Sequence, residues 1–440
     1  MRAMNRMDRN TYETAVIGGG LAGLLAAVKL AKAGQKVVLL EQSPRLGGRA
    51  MTVERSGALF NLGGHALYRE GEAYAMLKEL GLQLPGGSPP ASGFGIWQGR
   101  VVPLPGDPLK LLSSRLLSWS GKMEFGRLML GLSKTDTASL PRISLREWAE
   151  REVRDPMVRH IFYALCRTST YSRDIDHQPA GPVLLQLQRS LKGGVLYLDG
   201  GWQTIVDQLR ELAVKAGAAI AEGQAAEEIL HDDGQVSGIR LKGGETLRVS
   251  AVLAAVSPAS LFHLVRGAEE TVLRRWKDEA RPVKAACLDL ALKRLPSPGL
   301  HFALGLDQPV FFTHHSRVAK LSRNGTLVVH LIQYGGGDSD PQADEKLLEQ
   351  TMSLLHPGWQ GETAARQFLP SITVVHNAVH LGHSGPYPGP EVHGLAGLYA
   401  AGDWASHGEM LADAAAASAG RAVRKLLQDN RPGVRLEALA

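Results

Sequence analysis

The residues best suited to chemistry lie near the N-terminus: Gly18, Gly20 and Gly23, the acid Glu41, and the arginines Arg45 and Arg49 around Gly47 and Gly48. Each answers a demand that a bound dinucleotide makes. Gly18 permits a tight turn, Gly20 lets the backbone approach a pyrophosphate, and Gly23 lets a helix pack closely on a strand. A carboxylate placed roughly twenty residues beyond the first glycine bonds ribose hydroxyls, and Glu41, with Gln42 beside it, stands at about that interval. Arg45 and Arg49 carry planar donor forks that suit oxyanions.

These residues are useful only if the right elements hold them. Thr14–Ile17 reads as a buried strand, Leu21 and Ala22 open an apolar helix that runs through Lys32, and 36–40 form a second strand closed by Glu41. The helix start offers free N–H groups and the positive end of the helix dipole to phosphate. A bare glycine pattern is weak evidence. Framed by strand, helix and acid, it reads as a dinucleotide site.

With RLGGR following the acid, the N-terminal block resembles the flavin amine oxidase and phytoene desaturase superfamily. The resemblance implies FAD rather than NAD, expected to be bound non-covalently since no cysteine follows Cys287. It also implies an α/β architecture: a Rossmann-like FAD-binding domain of the glutathione reductase type 2 kind, with an inserted α+β substrate domain of sheet plus helices. Two later blocks extend it. VLYLDGGWQTIVDQLRELAVKAG contains a strand, the Gly200-Gly201 turn and a helix from about Trp202 to Lys215. By the resemblance, the residue that packs on adenine falls on Ala226, where the family usually has valine. GLYAAGDWASHGEMLADAAAASAG contains a strand, the Gly402-Asp403 turn and a helix from about Leu411. The resemblance places Asp403 at the ribityl or phosphate region and the helix start at Leu411 near the pyrimidine side of the flavin. It departs from the family pattern at Ser418-Ala419, with Gly420 one residue late. The turn at Gly63-Gly64 matches one that brings backbone against the flavin ring, with His65 beside it. The GDW form is nearer to the desaturases than to the amine oxidases.

Composition bounds the rest. The chain has 440 residues, 44% hydrophobic and 21% charged, with net charge +6. That is an ordinary globular composition, long enough for about two domains. The implied FAD domain comprises 10–75, 195–260 and 390–428; the implied substrate domain comprises 76–194, with a helical part at 105–190, and 261–389. Residues 1–9 and 429–440 read as tails. The basic residues are dispersed, with no aromatic-interleaved tract for nucleic acid. Cys166 and Cys287 are far apart in the sequence, without disulfide or CxxC spacing, and a reducing, cytoplasmic location fits them. No apolar run is long enough to span a bilayer. One stretch, 107–133, combines leucines with Lys110, Arg115, Lys122 and Arg127. It reads either as helices covering the substrate domain or as a peripheral membrane face. The pattern specifies no oligomeric state.

Catalytic side chains are less legible. No second GxGxxG and no paired cysteines occur, so the substrate itself is expected to reduce the flavin. The amine oxidases of the superfamily place a lysine on the strand that here reads PVKAACLDLAL; the alignment selects Cys287, or Lys284 after a shift of three residues. His65, Lys284, Cys287 and Trp404 are therefore the flavin-proximal candidates, and an amine cage could draw only on Tyr387 and Trp404. His376, His380 and His383 have no acidic companion motif, and no metal is expected. His314-His315 reads as a solvated turn. The leading expectation is hydride transfer from a C–H bond of an apolar, isoprenoid-like small molecule to FAD. The alternatives are an oxygen-using amine or amino-acid oxidase and a flavoprotein without net redox turnover.

Overall fold

A computed structural model of the chain describes residues 12–90, 93–335, 340–383 and 385–430. The site is positioned by a five-stranded parallel sheet in the order Ala219–Glu222, Val37–Glu41, Thr14–Ile17, Ala251–Ala254, Leu398–Ala400. Parallel strands are covered on both faces and so read as unbroken apolar runs. The strands Thr14–Ile17 and Ala251–Ala254 are buried at every residue.

One face carries the helices Leu21–Lys32, Gln203–Lys215 and Leu411–Asp429, which bury Leu24, Leu25, Leu209 and Leu426 against Leu39 and Leu253. The other face is covered by an antiparallel meander, Ala226–Asp232, Gln235–Leu241 and Thr246–Arg248, and by Phe262, Trp276 and Trp404. Ligands bind such sheets at the carboxyl ends of the strands, where the order reverses on either side of the first strand. Gly18, Glu41 and Gly402 all stand at those ends.

A seven-stranded sheet lies beyond, in the order Thr363–Val375, Val283–Leu292, Leu327–Tyr334, Val310–His314, Phe302–Gly305, Phe94–Trp97, Arg100–Pro103. Strand Val283–Leu292 shows how it divides space. Ala286, Leu288, Leu290 and Leu292 pack in one cluster with Leu348, Met352 and Leu355 of helix Pro341–Leu355. The alternate residues look the other way: Ala285 and Cys287 pack with Val158 and Ile161 of helix Pro156–Thr170, and Ala291 with Phe60 and Tyr197. Period-two alternation thus gives one strand a face toward the helix Pro341–Leu355 and a face toward Phe60, Tyr197 and the helix Pro156–Thr170.

Helix starts here are closed locally: Ser144 and Glu147 form a reciprocal capping box, and Asp107 caps the helix Pro108–Ser113. One expectation is corrected. His314 and His315 are 7% and 5% exposed and not a solvated turn, because the strand Val310–His314 carries them into the interior. The edge strand Thr363–Val375 runs for thirteen residues. The segment 107–133 forms two helices, Pro108–Ser113 and Trp119–Leu132, and splits its apolar residues. Leu117 and Leu132 are buried, whereas Leu109, Leu112, Trp119, Met123 and Leu130 are 57–79% exposed. Among the described residues no helix is long and apolar enough to cross a membrane.

Candidate flavin site

The glycine turn is built by steric demand. Gly18 has φ +101°, and a Cβ there would lie 2.6 Å from the Ala255 carbonyl oxygen; a Cβ on Gly23 would lie 1.8 Å from that of Gly18. Gly20 differs: a Cβ would meet nothing nearer than the Gly47 oxygen at 4.0 Å. The protein requires Gly18 and Gly23 for its own packing, while Gly20 opens onto free space.

The RLGGR loop docks on this turn. Gly47 N–H donates to Gly19 O at 2.8 Å, and the backbones of Gly20 and Gly47 form a parallel bridge. Glu41 closes the cradle, accepting Gly19 N–H and Ser43 N–H at 2.7 Å each. A carboxylate offers about four acceptor positions, so Glu41 retains capacity for ribose hydroxyls. Gln42 beside it is exposed. The strand that begins at Ala226 starts next to this acid, since Gln224 N–H donates to Glu41 O at 2.8 Å.

Arg49 continues the line from the cradle to the closing block. Its Nη1 donates to Asp403 Oδ2 at 2.7 Å and to Val374 O at 2.7 Å. Asp403 also receives His376 N–H at 3.0 Å and faces its Nδ1 at 3.1 Å. Burial by itself would raise the Asp403 pKa, but the Arg49 charge and these hydrogen bonds hold it well below the usual carboxylate range. Arg49 therefore spends one nitrogen on Asp403, where a contact to oxyanion alone was expected. Arg45 turns to Thr52 O at 3.1 Å and Gln203 Oε1 at 3.4 Å.

Asp403 shares a small cavity with Leu411, Met410, Val283 and Val375. Leu411 has φ +57°, uncommon for a residue with a side chain, and opens the helix Leu411–Asp429. Ala419 stands in the place of the family glycine without loss of the turn, for the hydroxyl of Ser418 before it accepts Gly402 N–H at 3.0 Å and donates to Gly402 O at 2.8 Å.

Cofactor fit can be judged from what this cradle leaves unsatisfied. The helices beginning at Leu21 and Leu411 have no side-chain cap. Uncapped helix starts leave N–H groups for an anionic or electron-rich ligand. With the open space at Gly20, these features fit a dinucleotide laid from Glu41, past Gly20, Gly47, Gly48 and Arg49, to Asp403 and Leu411.

The Gly63-Gly64 turn backs onto the second sheet. A Cβ on Gly63 would lie 2.2 Å from Ile372 Cδ1, and one on Gly64 would lie 3.0 Å from both His330 Nε2 and a Tyr171 ring carbon. His65 packs edge-on against Trp202 at 4.9 Å, and burial lowers its pKa to about 4, so it is neutral near pH 7. Behind the turn lies a buried network: His330 Nδ1 to Asp289 Oδ1 at 2.7 Å, then Gln367 Nε2 to Asp289 Oδ2 at 3.1 Å and to Asn61 O at 3.0 Å. Sequence reading missed it. Its one signal was a polar residue inside each of the apolar runs LDLAL and VVHLI.

The flavin-proximal candidates separate. Cys287 lies under Gly63, where burial pushes its thiol pKa well up. Lys284 instead lines an outer cavity with Arg281, His177 and His380. Trp404 is 1% exposed, donates to Val256 O at 2.7 Å and packs against Trp276 in the core beneath the Asp403 turn. Tyr387 stacks with His383 and His407, and with Trp404 in the core the two cannot frame an amine cage. Among the described residues no group of three His, Cys, Asp or Glu side chains is placed to hold a metal. Both cysteines are free and buried.

Fold and cradle together define a dinucleotide-dependent flavoprotein class. A family model described as flavin containing amine oxidoreductase matches residues 21–427, and the chain belongs to that family. The chain is 27% identical to protoporphyrinogen oxidase 1 of Arabidopsis thaliana chloroplasts over 170 residues, covering 37% of this chain and 31% of that one. It is 26% identical to the neurosporene-forming phytoene desaturase of Rhodobacter capsulatus over 309 residues, covering 62% of this chain and 58% of that one. The matches thus span from about a third to three fifths of these relatives. A solved oxidoreductase from Methanosarcina mazei shares the fold, with TM-score 0.75 and 21% identity over 94% of this chain and all of that one.

Proposed function

We propose that this protein is an FAD-dependent oxidoreductase that takes a hydride from a C–H bond of a largely hydrocarbon small molecule. The observation that carries the reading is the unbroken line from Glu41 through Gly20, Gly47 and Arg49 to Asp403 and Leu411. Bound FAD would supply the two-electron acceptor, and the protein would supply orientation, dryness and charge. Glu41 holds the ribose, the helix start at Leu21 receives the pyrophosphate, and the start at Leu411 stabilises negative charge. The apolar wall of Val283, Val375 and Leu411 excludes water. The reading takes attachment as non-covalent, because both cysteines are buried and neither offers an accessible thiol.

Purified protein should release FAD, not FMN, on denaturation. Glu41→Ala should weaken FAD binding by about 1–3 kcal/mol, the scale of a lost hydrogen bond to a charged group. Unchanged affinity in a dialysis titration would remove Glu41 from the ribose site.

We further propose that 107–133 rests on a lipid surface from which such a substrate is drawn. Leu109, Leu112, Trp119, Met123 and Leu130 face outward, and Lys110, Arg115, Lys122 and Arg127 stand among them. Apolar residues rimmed by cations suit an anionic bilayer. Flotation with phosphatidylserine vesicles tests this: the protein should co-float, and Trp119→Ser/Met123→Ser should abolish it. A protein that stays at the bottom of the gradient refutes the membrane reading.

A further inference from the structure

The outer cavity has a chemistry of its own. Its volume is ≈ 410 Å³, within the range of small-molecule sites, roughly 300–1,000 Å³. It adjoins the small cavity at Asp403 and Leu411, since Gln178, Val283, Ala378 and Val379 line both. A molecule reaching the flavin end through it would thus leave its other end among Lys284, Arg281, His177 and His380.

That end is cationic. Among the described residues no carboxylate pairs with Lys284 or Arg281; Arg281 Nη1 donates only to the carbonyls of Asp278 and Ala280, at 3.1 and 3.2 Å. Asp174, the one acid in the lining, is already engaged by His177 Nδ1 at 2.9 Å. At the junction Gln178 is 5% exposed, and its Oε1 has no partner. His380 Nε2 is likewise buried and unpartnered. Two unpaired cations around one cavity, with the buried, unpartnered His380 Nε2 beside them as a donor in one tautomer, call for an anionic hydrogen-bond acceptor.

We propose that the outer cavity seats the carboxylate of an amphipathic substrate on Lys284 and Arg281, with its hydrocarbon part directed past Val283 and Val379 to the flavin end. This rests on the oxidoreductase reading above and narrows its substrate to a hydrocarbon acid. It also gives Lys284 the role of an anchor, with no part in the flavin chemistry.

The test compares oleate, oleyl alcohol and oleylamine. Binding of each is measured by equilibrium dialysis of radiolabelled probe, and for the FAD-loaded protein also by perturbation of the flavin absorbance. Oleate should bind about tenfold more tightly than the alcohol at low salt, a difference of about 1.4 kcal/mol, and the preference should shrink at high salt. Lys284→Met should abolish most of the preference and Lys284→Arg should keep it. Arg281→Gln, at an exposed position, should reduce it even if the Lys284 variants fold poorly. Equal binding of acid and alcohol, preference for the amine, or a preference untouched by these variants overturns the proposal. A protein that takes up no FAD would sink the oxidoreductase reading instead, while dialysis, which needs no flavin, still decides the cavity.

Discussion

Asp413 offers a quantitative test of how the closing helix is seated. It stands in the first turn of Leu411–Asp429, is 2% exposed, accepts Ala73 N–H at 2.9 Å through Oδ1, and leaves Oδ2 without a partner. Burial pushes its pKa from 3.8 up to about 6, against the Ala73 hydrogen bond and the charge of Arg189. The folded state therefore holds the proton more tightly than the unfolded chain. Stability from this group is greatest below about pH 4, falls as pH rises through the folded pKa, and is fully lost above it. A pKa raised by roughly 2 corresponds to about 3 kcal/mol at pH 8. Asp413→Asn keeps an oxygen for Ala73 and removes the charge, but its amide nitrogen gains no acceptor, which costs about 1 kcal/mol. The variant should thus be about 2 kcal/mol more stable than wild type at pH 8 and slightly less stable at pH 4. Urea unfolding of the FAD-loaded protein at both values reads this directly. A variant less stable at pH 8, or a difference equal at the two pH values, would refute the assignment of a strained, buried carboxylate.

Other outcomes follow from the cradle. Gly20→Ala should leave apoprotein unfolding within about 0.5 kcal/mol of wild type, as for a change without steric conflict, yet weaken FAD binding at least about tenfold, because the methyl group fills the space left for pyrophosphate. Gly23→Ala should fail in the apoprotein itself, its Cβ meeting backbone oxygen at 1.8 Å; equal behaviour of the two variants would contradict the distinction. Arg49→Met strands the buried Asp403 carboxylate and should cost about 3 kcal/mol in denaturant unfolding. Asp403→Asn should cost about 1 kcal/mol, since the Arg49 side chain, 42% exposed, can turn to water. The reverse order would show that Asp403 is not the desolvated partner.

The amino-acid sequence by itself determined the parts whose physics is local. Gly18 and Gly23 are required by a turn spanning a few residues, Glu41 by the strand that ends in it, and Ser144 with Glu147 by one helix start. Spacing along the chain carries such constraints, and FAD-type recognition was legible from them together with the blocks at Gly200 and Gly402. Tertiary structure alone decided which distant residues share an environment. Trp404 lies one residue beyond Asp403, yet its indole turns into the core while the acid meets Arg49. Lys284 and Cys287, three apart on one strand, end in an outer cavity and under the Gly63 turn. Asp289 and His330 come from different strands, and no periodicity within either reveals the partner. Side-chain direction on a strand alternates with position, but what each face meets is set by how two sheets and their helices pack. That packing sums burial over the whole chain, which is why the cradle could be read in sequence and the outer cavity could not.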